Sequence, residues 1–163
     1  GVLREMQEAG VTPNVASVNV VLSACSNAAR RGGLRMVDQG LHLIDTMQQY
    51  GAEPNRMTFN TLLSGCAQAA MSSDNPGGAL AKGMQVITVM RSKGVQPDVI
   101  SFTTLLSAGV RAAAQGDPTL VGQGATLLGY MEEAGVTPDA VTYTTMIDMY
   151  AKAAGAGLRG DWV

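Results

Sequence analysis

The sequence is poor in the side chains that most often carry chemistry. One histidine, two cysteines and one tryptophan are spread over 163 residues. A structural zinc site takes four ligands, so Cys25 and Cys66 would need two more, and His42 is the only histidine. Charge is scarce as well. Charged residues make up 15% of the chain, and 11 Lys+Arg against 13 Asp+Glu leave a net charge of −2. A basic face is the usual footprint of a nucleic-acid binder, and neither this balance nor the pI near 5.3 advertises one. No apolar run reaches the ~18 residues that suggest a membrane span, and no secretory or transit segment stands at Gly1. The acidic residues are scattered; the adjacent pair Glu132-Glu133 falls in the last turn of an expected helix and reads as solvated. No catalytic constellation emerges, which leads us to expect no enzyme activity, no cofactor and no metal on this stretch.

Hydrophobic residues, at 46%, predict a folded chain. Their arrangement is periodic. Gly135-Val136-Thr137-Pro138-Asp139 repeats the pattern of Gly94-Val95-Gln96-Pro97-Asp98, Gly51-Ala52-Glu53-Pro54-Asn55 and Gly10-Val11-Thr12-Pro13-Asn14. The four prolines stand 41, 43 and 41 residues apart. A period in this range signals a solenoid, whose core is buried between neighbouring repeats. The pattern is entered and left in mid-repeat, which suggests a piece of a longer array. The expected units are 1–12 (the end of a repeat), 13–53, 54–96, 97–137 and an incomplete 138–163.

Each glycine reads as a left-handed helix stop, with proline three residues later preventing continuation. Met6, Met47, Met90 and Met131 stand four residues before these glycines and read as core. Asn14, Asn55, Asp98 and Asp139 are suited to cap the helix that follows. That first helix carries matched apolar positions: Val21 and Leu22, Leu62 and Leu63, Leu105 and Leu106, Met146 and Ile147. Val18, Phe59, Phe102 and Tyr143 form another matched set. Aromatic rows can stack bases, but this spacing fits one packing residue per repeat. Cys25 and Cys66 also occupy matched positions and read as packing residues. Equivalent helices lie ~8–10 Å apart, too far for a disulfide.

A second helix is expected from near Val37, Lys82 or Gln123 to Gln49, Ser92 or Ala134. Gly40, Gly83 and Gly124 recur within it, seven residues before each methionine. Such glycines weaken a helix by ~1 kcal/mol and suggest close approach of the two helices of one repeat. Between the helices, Arg30-Arg31-Gly32-Gly33-Leu34-Arg35, Met71–Gly78 and Gln115-Gly116-Asp117-Pro118 read as exposed loops. Their glycine pairs lack the Lys-Ser/Thr signature of a phosphate loop.

The paired helices, the Gly-x-x-Pro-[Asp/Asn] closure and the hexapeptides Thr142-Tyr143-Thr144-Thr145-Met146-Ile147 and Ser101-Phe102-Thr103-Thr104-Leu105-Leu106 together resemble the pentatricopeptide repeat family. The resemblance covers essentially the whole chain, with Gly160-Asp161-Trp162-Val163 approaching another second helix. The family's unit of about 35 residues is lengthened here between the helices. Tetratricopeptide repeats are the nearest rival, but their Trp-x-x-Leu-Gly-x-x-Tyr pattern is missing.

The resemblance implies an all-α fold, a right-handed α-solenoid of helix-turn-helix repeats. It implies single-stranded RNA as partner, one base per repeat, in organellar transcript stabilisation, processing or translation. On this analogy Asn19 with Asn55 reads a pyrimidine, Asn60 with Asp98 a uracil, and Thr103 with Asp139 a guanine. Thr144 suggests a purine, with a partner beyond Val163. Ala16, Met57, Ile100 and Val141 would sandwich the bases. At the position where the family often has a phosphate-binding lysine stand Asn27, Gln68, Arg111 and Lys152, of which only Arg111 and Lys152 are charged. Family habit places such proteins in a chloroplast or mitochondrion. The low positive charge and long inter-helix segments motivate an alternative: a protein-interaction scaffold, or a structural subunit among other ribonucleoprotein subunits, as in an organellar ribosome.

Overall fold

The structure, a computed structural model, describes residues 2–47, 49, 51–71, 76–116 and 120–156. Among these residues there are eight helices and no strand: α1 (Val2–Glu8), α2 (Val15–Gly32), α3 (Leu34–Met47), α4 (Arg56–Ala69), α5 (Pro76–Ser92), α6 (Val99–Ala114), α7 (Leu120–Glu133) and α8 (Ala140–Gly155). The chain is an α-solenoid. The first helices of successive repeats, α2, α4, α6 and α8, pack side by side in one layer. The second helices α3, α5 and α7 form the other layer and touch one another less.

The first helices start where the caps require. Asn14, Asn55, Asp98 and Asp139 have extended backbones, and each side chain accepts a hydrogen bond from the backbone N–H three residues on. The hydroxyls of Ser17, Thr58, Ser101 and Thr142 reach back to the cap N–H groups at 2.8, 3.1, 3.2 and 3.3 Å, closing a reciprocal capping box. Donors that a helix start leaves without partners are thus satisfied.

Helix ends explain the methionine spacing. Gly10, Gly51, Gly94 and Gly135 have φ of 75°, 69°, 76° and 69°, the left-handed region where a Cβ is strained. The residue after each glycine donates its N–H to the carbonyl of Met6, Met47, Met90 or Met131, at 2.8, 3.1, 3.0 and 2.8 Å. This is the six-to-one bond of a Schellman stop. Met47, Met90 and Met131 put their side chains wholly into the core.

The second helices begin earlier than expected, at Leu34, Pro76 and Leu120, and end at Met47, Ser92 and Glu133. Of the expected loop at 30–35, Arg30, Arg31 and Gly32 continue α2, and Gly33 alone (φ 60°) turns the chain into α3. Pro76 opens α5 because a first-turn residue needs no N–H donor. Residues 72–75 and 117–118 of the expected loops, and the segment 160–163, lie outside the described residues.

Val18, Phe59 and Phe102 are fully buried, as their spacing suggested, and so are Leu22, Leu63 and Leu106. Tyr143 and Ile147 occupy the matching places on α8 but are 52% and 68% exposed, because among the described residues no further first helix covers that face. Cys66 is buried and Cys25 half-buried; both are free. Burial pushes the Cys66 thiol up to about 12 despite the Lys82 charge, so it packs as a neutral side chain.

The recurring glycines of the second helices serve a junction other than the expected one. A Cβ on Gly40 would collide with Leu62, and one on Gly83 with Leu105; both leucines belong to the next repeat's first helix. Within its own repeat a Cβ on Gly40 would come no nearer than 3.3 Å, to Leu22. On Gly124 a Cβ would meet Tyr150 Oη at 2.5 Å and Met149 Cε at 2.6 Å. Each glycine is a notch for a side chain of the repeat that follows.

Candidate nucleic-acid interface

The layer of first helices brings the candidate residues to one surface. Met57, Ile100 and Val141, each in the first turn of its helix, are 68%, 62% and 60% exposed. Ala16, in the same register, is exposed as well. Large aliphatic side chains left in water at a fixed spacing are unfavourable for the free protein, and contiguous or regular ones mark contact surfaces.

The candidate base readers differ in how far they are assembled. Asn60 and Asp98 are joined through Ser101. Its hydroxyl lies 2.7 Å from Asn60 Oδ1 and 2.9 Å from Asp98 Oδ1, and its backbone N–H donates to the same Asp98 oxygen at 2.9 Å. Burial raises the Asp98 carboxyl, but hydrogen bonds from Ser101 and Asn60 and the nearby Arg56 charge outweigh it and hold the pKa below the ordinary carboxylate value. Asp139 accepts from the Thr142 N–H at 2.8 Å and from its hydroxyl at 2.9 Å, and these bonds lower its pKa too. Thr103 turns its hydroxyl onto its own helix, 2.9 Å from the Val99 carbonyl, and Thr144 does the same to Ala140 at 2.7 Å. No hydrogen bond among the described residues links Thr103 to Asp139 or Asn19 to Asn55. Asn55 Oδ1 accepts from the Thr58 N–H at 3.0 Å, whereas Asn19 Oδ1 is buried without a partner.

The two charged candidates for phosphate contact are partly engaged. Arg111 donates from Nη1 to the Ala67 carbonyl at 2.9 Å, near the end of α4, which leaves other guanidinium donors. Lys152 pairs with Asp148 one turn away. Two grooves of similar size lie between first helices. Ser23, Ser26 and Asn27 of α2 face Arg56, Met57, Asn60, Thr61 and Ser64 of α4 around about 550 Å³. Ser107, Val110 and Arg111 of α6 face Thr144, Thr145 and Asp148 of α8 around about 560 Å³. Counted from each repeat's proline, the lining positions nearly coincide. Candidate reader and candidate phosphate position therefore share a groove, Asn27 with Asn60 and Arg111 with Thr144.

Sequence reasoning missed Arg56 and Ser101. Arg56 had a signal: it stands where the other repeats carry Val15, Val99 and Ala140. Ser101 had none, because a capping-box hydroxyl is expected there in any case. Among the described residues no group of acidic, histidine and cysteine side chains is arranged to hold a metal, and no helix is long and apolar enough to cross a membrane.

Comparison with known proteins agrees with the helical-repeat fold. The model of the pentatricopeptide repeat domain matches residues 1–28 and 85–153. No curated protein matches the chain. Among solved structures the fold is similar to the PPR domain of Arabidopsis thaliana protein-only RNase P 1, crystallised in complex with tRNA. The two share 21% identity with a TM-score of 0.54, over 95% of this chain and 75% of that one. At that identity the likeness speaks to the fold alone. The stretch that the family model skips, 29–84, includes the one-residue turn at Gly33 and the lengthened segment before α5. With more than half of its residues matched and its proline-anchored helix pairs stacked in register, the chain belongs to the pentatricopeptide repeat family.

Proposed function

We propose that the protein binds single-stranded RNA in a sequence-specific manner, one base per repeat, in organellar transcript stabilisation, processing or translation, within a chloroplast or mitochondrion. The observation that carries this is the Asn60–Ser101–Asp98 cluster, flanked by the exposed Met57 and Ile100. Capping occupies one side-chain oxygen of Asp98 and leaves lone pairs on the other. Asn60 has its carbonyl oxygen on Ser101 and its amide beside Asp98, so one of its two N–H donors remains for a ligand. A donor beside an acceptor matches the acceptor–donor edge of uracil. Thr103 has donated its hydroxyl hydrogen to its own backbone, so with Asp139 it offers acceptors only. Guanine presents two adjacent donors on its pairing edge and fits that pair. Asn19 and Asn55 have amide N–H donors to offer, which suits the acceptors of cytosine. The suggested stretch is pyrimidine–U–G–purine, read 5′ to 3′ along the chain.

Binding of the protein to single-stranded RNAs with this stretch and with its scramble tests the reading. Preference for the first is expected, and equal weak binding to both would overturn base reading. Thr103→Asn replaces an acceptor by a donor and is expected to move preference at that site from G toward U. One observation favours the alternative of a protein scaffold or ribonucleoprotein subunit: Arg4, Arg56, Lys82, Arg91, Lys93 and Lys152 all lie within ion-pair distance of carboxylates. A stoichiometric protein assembly that survives nuclease treatment would support it.

A further inference from the structure

The two grooves between first helices differ in where their arginine comes from. In the α6–α8 groove it is Arg111, on the wall of the earlier repeat, while α8 carries Ala140 at its first position. In the α2–α4 groove the corresponding wall position is Asn27, and the arginine is Arg56, the first residue of α4 on the opposite wall. Arg56 is the only charged residue among those lining that groove. Each groove thus contains one guanidinium, supplied from opposite sides.

The local geometry leaves Arg56 able to take an anion. Its Nε donates to the Gln96 carbonyl at 3.2 Å, and its Nη1 lies 3.5 Å from Asp98 Oδ2. The second distance is well beyond the ~2.7–2.9 Å of a charge-assisted hydrogen bond. Its side chain is 55% exposed. The guanidinium is therefore steadied at one nitrogen, by a contact to the last residue of its own repeat, with donors left over from its five. It also offsets the Asp98 carboxylate, which would otherwise repel a phosphate passing the base site.

We propose that Arg56 is the phosphate-binding cation of the α2–α4 groove, supplying from α4 the charge that Asn27 does not supply from α2. This rests on the RNA-binding function proposed above. Its consequence is that the backbone of the bound strand is held from alternate walls in the two grooves.

The test is a salt titration of the protein's affinity for a short single-stranded RNA carrying the suggested stretch. Each phosphate contact on a single strand contributes about 0.7 to the slope of log K against log salt. Arg56→Ala is expected to reduce that slope by about 0.7, equivalent to about a fivefold smaller gain in affinity on going from 1 M to 0.1 M salt. Arg56→Lys should retain the slope, and adding Asn27→Arg to Arg56→Ala should restore it from the other wall. Circular dichroism melts of each variant confirm that the fold is kept. Suppose instead that Arg56→Ala leaves the slope unchanged and alters only base preference at the Asn60–Asp98 site. Arg56 then acts merely by holding Asp98, and the proposal is overturned while RNA binding stands. A wild-type protein that binds no single-stranded RNA overturns the RNA-binding function, and this proposal with it.

Discussion

At Asp98 and Asp139 a single carboxylate caps a helix and stands at a candidate base site. The ionised form, an acceptor at both oxygens, favours both functions. Each group has its folded pKa below the ordinary value of 3.8. A depressed carboxylate pKa adds stability that is fully present above the unfolded value and is lost as pH falls through the folded one. Stability should therefore decline on acidification below about pH 4. Asp98→Asn keeps a capping oxygen but has no proton to gain, so its decline over that window should be shallower. Urea midpoints measured across pH for both proteins check this; parallel curves would show that the carboxylate contributes nothing. Asn14 and Asn55 cap α2 and α4 without this sensitivity. The acid response of these two caps belongs to the half of the chain that begins at α6.

Among the helices, the junction between repeats decides which glycines matter. A Cβ at Gly83 has no room beside Leu105, whereas one at Gly129 meets nothing within 4 Å. Gly129→Ala should stabilise α7 by up to about 1 kcal/mol through helix propensity. Gly83→Ala gains the same propensity but overpacks the junction, at a cost of about 1–3 kcal/mol, and is expected to be neutral to destabilising. Thermal melts of the two variants should move apart. The recurrence of these glycines was legible in the sequence, but their partner was not, since periodicity does not say which neighbouring helix fills a notch. Cap residues and Met-to-Gly helix stops were readable because they act within a few residues of chain. The starts of the second helices were misread because Gly33 and Pro76 look alike as loop signals. One is a single-residue turn and the other a helix-opening residue. At the candidate site, the row of Met57, Ile100 and Val141 was expected from the family resemblance, and their exposure is seen only in the folded chain. The bond from Ser101 to Asn60 joins residues 41 apart and appears only once the repeats are stacked.

Over the whole molecule, the two layers are held differently. First helices share buried apolar side chains such as Phe59, Leu63, Phe102 and Leu106. Second helices are linked at their surface by ion pairs, Lys82 with Asp38 at 2.8 Å, Lys93 with Asp45 at 3.2 Å and Arg91 with Glu133 at 3.9 Å. Exposed pairs contribute only ~0–1 kcal/mol each, so the apolar layer carries the array. The glycine notches have a consequence for inheritance. Gly40 and Gly83 are identical sockets, and Leu62 and Leu105 are identical plugs. Removing residues 54–96 would bring the socket at Gly40 to the plug at Leu105, a fit both sides already have. The misfit to expect is Ala108 in the place of Gly65, where a Cβ comes within 3.3 Å of the Ser26 backbone and hydroxyl. The shortened chain should unfold in one cooperative transition, and Ser26→Ala should raise its midpoint; a non-cooperative melt would show that the joints are not interchangeable. Such joints let a lineage lengthen or shorten its array by whole repeats without passing through an unfolded ancestor.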